Sequence, residues 1–164
     1  MTTATLPYRP GVGAMIVNSA GHVFVGQRID SRLDAWQMPQ GGVDPGEDAQ
    51  TALFREVKEE TGIAPHHIKI IAQGAAPFDY DLPPELVSTV WKGRFRGQRQ
   101  HWFLLQFTGT DGDVNIATEH AEFAVWKWVP HTALVDLIVP FKRDLYAAIV
   151  AEFAPHIAQP AAGG

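Results

Sequence analysis

The sequence predicts an α/β domain in which a mixed β-sheet packs between helices. Five short runs have the length and apolar composition of strands, and two segments, 47–61 and 140–153, have the apolar spacing of helices. Strands and helices alternate irregularly, whereas a parallel doubly wound sheet alternates them strictly. With 164 residues the chain can bury one core, so we expect a single domain over 1–164 with flexible ends at 1–6 and 154–164.

The composition is that of an ordinary globular protein, with 46% hydrophobic and 19% charged residues. The sequence has no cysteine, which excludes disulfides and thiolate metal sites. Its first residues lack the pattern of a signal peptide, and no apolar run is long enough to span a bilayer. We expect a cytoplasmic enzyme with no membrane partner.

The first half of the chain reads as a hairpin followed by a glycine-rich turn and a helix. The runs 12–17 and 22–28 are strands joined by turn residues. The breakers in 38–42 suit a close backbone approach to a metal or a phosphate. The helix should begin near Glu47 or Asp48 and end at Thr61, with Gly62 as a left-handed C-cap.

The second half contains three further strands and a final helix. The strands are 68–74, 101–107 and 123–129, and the helix opens at Pro140 with apolar residues every four positions from Phe141. Between the first two strands lies a Pro/Gly-rich excursion, 75–100. A structureless loop of that length is usually functional or wrongly assigned.

Charge is unevenly distributed along a chain whose net charge is −5. Four basic residues fall within eight positions that contain no acid, whereas acids concentrate at 44–60 and 79–85. We expect an acidic face suited to metal beside a basic loop that attracts phosphate, although the loop could also be merely solvated. The basic residues are Lys92, Arg94, Arg96 and Arg99.

The segment 41–63 carries the chemistry of the protein in the pattern G-x5-E-x7-R-E-x-x-E-E-x-G. A chance match at its seven fixed positions has a probability on the order of 10⁻⁹ per window. Glu56, Glu59 and Glu60 fall within about 100° of the helix circumference, so three carboxylates crowd one face. A merely solvated face would leave like charges at i,i+4 unrelieved, whereas a hard cation such as Mg²⁺ or Mn²⁺ would use them.

This pattern is the Nudix box, and the chain resembles the Nudix hydrolases. The resemblance implies an α/β/α sandwich with a mixed sheet and a catalytic loop-helix-loop that hydrolyses a nucleoside diphosphate linked to another moiety. It implies that Glu56, Glu59 and Glu60 bind the metal beside Gly41 and that Glu56 or Glu59 is the general base. Arg55 would support them by pairing with Glu59.

A downstream glutamate supplies another metal ligand in one branch of the family. Glu122 matches that position, with Glu119 as the competitor. The alternative is that Glu122 is simply an exposed residue before a strand.

Outside the box, the chain resembles the bacterial RNA pyrophosphohydrolases, which overlap with the dinucleoside polyphosphate hydrolases. The first activity removes pyrophosphate from a 5′-triphosphorylated transcript, leaves a monophosphate and opens the transcript to mRNA decay. The alternative is asymmetric cleavage of diadenosine tetraphosphate to ATP and AMP. No DNA partner is expected. The matching segments are 8–13, 36–42, 80–83, 97–107 and 141–146.

A triphosphate end needs cationic donors, and its first bases need a stacking plane. The resemblance implies that Phe141 and the Arg28 guanidinium sandwich a base, although Phe141 could be a core residue and Arg28 a solvated strand end. Ala35 replaces an expected hydroxyl residue in a segment, 29–35, that is longer than the resemblance implies. The complete predicted substrate-binding set is Arg9, Arg28, Gln40, Tyr80, Arg96, Gln98, Phe141 and Lys142.

Overall fold

A computed structural model describes residues 5–30 and 34–157 of the chain. Within these ranges seven strands form one sheet, in the order β4-β6-β1-β2-β7, with β3 paired to β1 and β5 paired to β6. Strands β1 and β6 run parallel and the other pairs are antiparallel, which confirms the predicted mixed sheet. The strands are β1 Tyr8–Val17, β2 Val23–Arg28, β3 Gln40–Gly42, β4 Ile68–Gln73, β5 Phe78–Asp81, β6 Gly97–Phe107 and β7 Phe123–Val129.

Four α-helices accompany the sheet in the described part of the chain: α1 Ala49–Thr61, α2 Pro84–Val87, α3 Leu134–Leu137 and α4 Arg143–Phe153. Alternate side chains of β1 and β6 point to opposite faces of the sheet and enter two separate cores. One core joins these strands to α4 and includes Met15, Trp102, Leu104, Tyr146 and Ile149. The other joins them to α1 and includes Ile16, Leu53, Val57 and Leu105. The sheet is therefore sandwiched between helices.

Helix α1 has the predicted ends. The Asp48 side chain accepts a hydrogen bond of 2.7 Å from the Thr51 backbone N–H and so caps the first turn. Gly62 takes the left-handed conformation at φ 73°, and its N–H donates to the Lys58 carbonyl over 2.9 Å. Local chemistry alone thus determines where this helix begins and ends.

The segment 75–100 is not a structureless loop, so that assignment was wrong. It contains strand β5, helix α2 and the short 3₁₀ turn Val90–Gly93, and β6 begins four residues earlier than predicted. The extra strand length has a tertiary cause. Residues from Gly97 onward pair in parallel with β1 from Tyr8 and antiparallel with β5.

The ends of the described chain pack against the domain. Leu6 is partly buried on the α4 core, and Ile157, which follows the 3₁₀ turn Ala154–His156, is only 7% exposed within it. The prediction of a flexible tail is therefore wrong for 154–157, while 1–4 and 158–164 lie outside the described residues. No helix in the described ranges is both long and apolar enough to cross a bilayer.

Candidate active site

A cleft of about 440 Å³ opens beside α1, at one end of the sheet. Strands β1, β2, β3 and β5 each contribute to its wall, as do α2, the 3₁₀ turn Pro140–Lys142 and the residue before β7. Its polar lining is Arg9, Arg28, Gln37, Gln40, Glu56, Tyr80, Glu122 and Lys142, and its apolar lining includes Leu82, Leu86, Val90, Trp91, Val139 and Phe141. Nine residues predicted to bind metal or substrate thus line one cavity: Arg9, Arg28, Gln40, Gly41, Glu56, Tyr80, Glu122, Phe141 and Lys142.

Arg55 lies behind the cleft and organises the carboxylates of α1. Its guanidinium donates to both oxygens of Glu47 over 2.8 and 2.9 Å, to Glu56 over 2.8 Å and to the Gly42 carbonyl over 2.9 Å. The predicted pair with Glu59 is present at 3.3 Å. These bonds from Arg55 lower the pKa of the Glu47 carboxyl to about 2, and the ion pairs raise the pKa of Arg55. The side chain therefore fixes both the loop and the helix of the motif.

Glu56 reaches the cleft because Gly41 has no side chain. A Cβ at Gly41 would overlap the Glu56 carboxyl group, so this position in β3 requires glycine. Burial raises the pKa of Glu56, while its bonds to Arg55 oppose the shift. Glu56 is thus a carboxylate at the cleft wall that is partly removed from water.

Glu60 lies deeper, beneath the cleft surface, and its side chain is 2% exposed. Burial raises its pKa well above the ordinary value, and the charges of Glu56 and Glu122 raise it further. Within the described residues its Oε2 atom has no hydrogen-bond partner. A buried, unpartnered carboxylate oxygen next to two other carboxylates is a costly arrangement without a cation.

The donors suit a hard divalent cation, because they are carboxylate oxygens with the backbone of Gly41 beside them. No three carboxylates or histidines of the described chain already surround one point at metal-binding distance. Glu56 instead faces Arg55, and Glu122 faces Arg28 at 3.1 Å. Glu119 does not line the cleft, and neither does Glu59; both line a separate groove, which they share with Arg55.

Arg9 is one of three cations that line the cleft in the described part of the chain. Its guanidinium stacks over the Trp91 ring at 5.2 Å and packs so closely on Gly42 that a Cβ there would overlap it. No carboxylate of the described residues forms an ion pair with it. Sequence reasoning missed Trp91, whose left-handed backbone at φ 51° gives no local signal in the sequence.

Arg28, Phe141 and Lys142 also line the cleft. Arg28 forms ion pairs with Asp30 at 2.9 Å and with Glu122 at 3.1 Å, which raise its pKa. Phe141 is 37% exposed, so the alternative that it is a core residue is wrong. The Lys142 ammonium lies 4.8 Å from the centre of the Tyr80 ring, and burial lowers its pKa to about 8. Burial also raises the pKa of Tyr80, which therefore stays protonated.

Two predicted substrate contacts, Arg96 and Gln98, do not line the cleft. Arg96 bonds to Asp81 at 2.7 Å, and Gln98 has no exposed surface and bonds to the Tyr80 hydroxyl. Arg99 likewise pairs with Asp79 at 2.8 Å. The expectation that the basic run 92–99 is free of acidic partners is thus wrong for Arg96 and Arg99. The antiparallel register of β5 and β6 places Asp79 opposite Arg99 and Asp81 opposite Gly97, the residue that follows Arg96.

The segment 29–35, which departs from the expected pattern, lies partly outside the described residues, because 31–33 are not among them.

Comparison with known proteins identifies the family of this chain. The NUDIX domain matches residues 7–149. The chain is 54% identical over 154 residues to an RNA pyrophosphohydrolase of Roseobacter denitrificans, covering 94% of this chain and 96% of that protein. It is 53% identical over 150 residues to one of Sphingopyxis alaskensis, with coverages of 92% and 95%.

Among solved structures, a C. elegans Ap4A hydrolase in a binary complex superimposes with a TM-score of 0.66. The match has 23% identity and covers 90% of this chain and 98% of that one. At this identity the likeness concerns the fold alone.

Proposed function

The chain belongs to the Nudix family and hydrolyses phosphoanhydride bonds, and from that premise we propose that its substrate is the 5′-triphosphate end of RNA. The reaction would release pyrophosphate and leave a 5′-monophosphate. The observation that carries the proposal is that one cleft joins acidic, cationic and aromatic groups. Glu56 and Glu122 stand at its acidic wall, Arg9 and Lys142 provide positive charge, and Phe141 offers an exposed ring. Relatives that are about half identical over nearly their whole length carry the matching name.

The same carboxylates would hold Mg²⁺ or Mn²⁺. The buried, unpartnered oxygen of Glu60 and its coupling to Glu56 and Glu122 support this assignment, with Glu59 and the backbone of Gly41 completing the donor set. When bound, the ion supplies positive charge to the phosphates and acidifies a water molecule. Glu56 or Glu59 would accept the proton from that water, and Arg55 would keep both carboxylates oriented.

The cationic groups would hold the phosphate chain. Arg9 is free to form paired hydrogen bonds with phosphate oxygens because its guanidinium is stacked on Trp91 and not engaged by a described carboxylate. Lys142 and Gln40 would add donors from other walls, and Tyr80 would lie beside them. Phe141 would stack on a base, with Arg28 on its other side. A cytoplasmic location, where transcripts turn over, belongs to this proposal.

The substrate can be tested by comparing kcat/KM on triphosphorylated RNA with kcat/KM on diadenosine tetraphosphate. We expect RNA to be the better substrate, because the cleft combines cationic donors for the phosphates with one exposed aromatic ring for a splayed base. Release of pyrophosphate and appearance of a 5′-monophosphate would identify the bond that is cleaved. A preference for the dinucleotide by orders of magnitude would overturn the RNA proposal and leave the Nudix reaction intact.

The assignment of the carboxylates can be tested with Glu56→Gln and Glu59→Gln. Each change keeps side-chain volume but removes a metal ligand or the base, so we expect kcat to fall roughly 10²–10⁴-fold for the residue that is the base. Glu85→Gln, at an exposed glutamate of α2, is the matched control and should keep full turnover. Full turnover in both Glu56→Gln and Glu59→Gln would contradict the proposed site.

A further inference from the structure

A continuous chain of buried side-chain hydrogen bonds runs from the core to the cleft on one face of β6. The Trp102 indole N–H donates to Gln100 Oε1 over 2.8 Å. The Gln100 Nε2 group donates to Gln98 Oε1 over 2.7 Å and to Gln40 Oε1 over 2.8 Å. The Tyr80 hydroxyl also donates to Gln98 Oε1, over 3.2 Å. Gln40 and Tyr80 line the cleft, whereas Gln98, Gln100 and Trp102 are at most 1% exposed.

The donor-to-acceptor direction of these hydrogen bonds is determined at the buried end, by Trp102. An indole N–H can only donate, so the Gln100 oxygen must face Trp102 and the Gln100 amide nitrogen must face the other glutamines. The Trp102 ring cannot turn away, because it packs edge-on to Tyr146 at 6.1 Å and so tightly on Gly13 that a Cβ there would overlap it. One fixed donor thus orients every amide that follows.

Gln98 shows that its neighbours in the hydrogen-bond chain determine the orientation of its side-chain amide. Its Nε2 atom is buried against Gly11 and finds no acceptor among the described residues. Reversing the Gln98 amide would place two amide nitrogens, both donors, only 2.7 Å apart. Gln98 therefore keeps its oxygen toward Gln100 even though its own nitrogen remains unsatisfied.

Gln40 carries this fixed amide orientation to the cleft, which its side chain lines. Its oxygen is used by Gln100, so its amide nitrogen is the end left to face the cavity. We propose that Gln100 and Trp102 are positioning residues that hold Gln40 with its N–H groups toward the substrate. An amide in this orientation donates to a phosphate oxygen, whereas the reversed amide would present a lone pair and repel it. This inference rests on the proposed function, since it assigns a phosphate to that part of the cleft.

The test uses the affinity for the non-hydrolysable bis-methylene analogue of inorganic triphosphate in Mg²⁺, measured by calorimetry on the full chain. Gln100→Met has similar volume but cannot donate, so Gln40 becomes free to reverse. We expect the affinity to fall about tenfold, the loss of one hydrogen bond to a charged group. Gln40→Ala should lose a similar factor. The double variant should be no weaker than Gln40→Ala alone, because Gln100 acts only through Gln40.

Gln106→Met is the matched control. Gln106 lies on the same face of β6, and among the described residues its amide bonds only to the Val17 and Phe107 carbonyls, so its loss should leave the affinity unchanged. If Gln100→Met does not fold, Trp102→Phe replaces it. That variant keeps an aromatic ring in the core but removes the fixed donor, and we expect a loss of about threefold or more that also disappears in the Gln40→Ala background.

Three results would overturn the inference: wild-type affinity in Gln100→Met, losses that add independently of Gln40, or no binding of the analogue by the wild-type chain. None of them depends on which substrate is hydrolysed. Failure of the chain to cleave triphosphorylated RNA, with the coupling between Gln100 and Gln40 intact, would overturn the proposed function alone.

Discussion

Lys142 is a partly buried cation in the lining of the cleft. The half-buried ammonium lies beside the rings of Tyr80 and Phe141, 4.8 and 5.8 Å from their centres. Burial, together with the charge of Arg28, lowers its pKa to about 8 against the opposing charge of Glu60. A residue proposed to bind phosphate therefore titrates close to neutral pH. Its charged form exists below that pKa and is lost above it.

From this we predict that kcat/KM falls roughly tenfold as pH rises from 7 to 9, since the free enzyme loses the Lys142 charge across that range. Lys142→Arg stays charged throughout, so its kcat/KM should lack this decline whatever its starting value. The measurement is a pH profile of both proteins on one substrate. An equal decline in Lys142→Arg would assign the titration to another group.

At the scale of the element, α1 holds the site because both of its ends are fixed. Gly62 ends it in a left-handed conformation, and the backbone N–H of Asn115 donates to the Thr61 carbonyl over 2.8 Å. The turn before the helix contains a second left-handed glycine, Gly46, at φ 82°. The two glycines share a backbone conformation but differ in surroundings. A Cβ at Gly62 would overlap the Asn115 carbonyl oxygen, whereas a Cβ at Gly46 meets nothing within 4 Å.

Alanine substitutions at Gly46 and Gly62 can be compared directly, because both residues have a left-handed backbone. Gly46→Ala should destabilise the protein by about 1 kcal/mol, the cost of a left-handed alanine. Gly62→Ala should cost about 2–3 kcal/mol or more, because it also displaces the segment around Asn115. Urea unfolding of both variants measures the difference. Equal losses would show that the Asn115 segment moves aside freely and does not hold the end of α1.

Over the whole molecule, one sheet separates two cores and leaves the cleft at its end. The α4 core extends to Ile157, which follows the last helix and packs among its residues. Packing therefore continues past Phe153, into the segment that was predicted to be flexible. Charge is also balanced by the fold: Asp79 and Asp81 pair with Arg99 and Arg96 across β5 and β6, although both groups had been expected to act separately.

We predict that Ile157→Ala lowers the free energy of unfolding by at least about 2 kcal/mol, since it removes a buried side chain from a packed core. Ile71→Ala, at a residue of β4 that is 40% exposed, is the control and should cost under about 1 kcal/mol. Urea denaturation compares them. If both variants lose the same small amount of unfolding free energy, residues 154–157 do not pack in the core and belong to the flexible tail that the sequence predicts.

The sequence by itself determined the reaction and the element that performs it. The spacing of Glu56, Glu59 and Glu60 places three carboxylates on one helix, and Asp48 and Gly62 end that helix by local chemistry. Strand locations were also readable, because alternation and apolar runs are properties of neighbouring residues.

Tertiary structure alone decided which distant side chains meet. Register between strands, and not spacing along the chain, brought Arg99 to Asp79 and Gln100 to Gln40. The stacking of Arg9 on Trp91 depends on a left-handed backbone that no local pattern predicts. Contacts across a sheet depend on how strands align, and that alignment is settled by packing of the whole domain. The reaction could therefore be predicted from a motif, whereas the arrangement of polar side chains in the cleft could be known only from the fold.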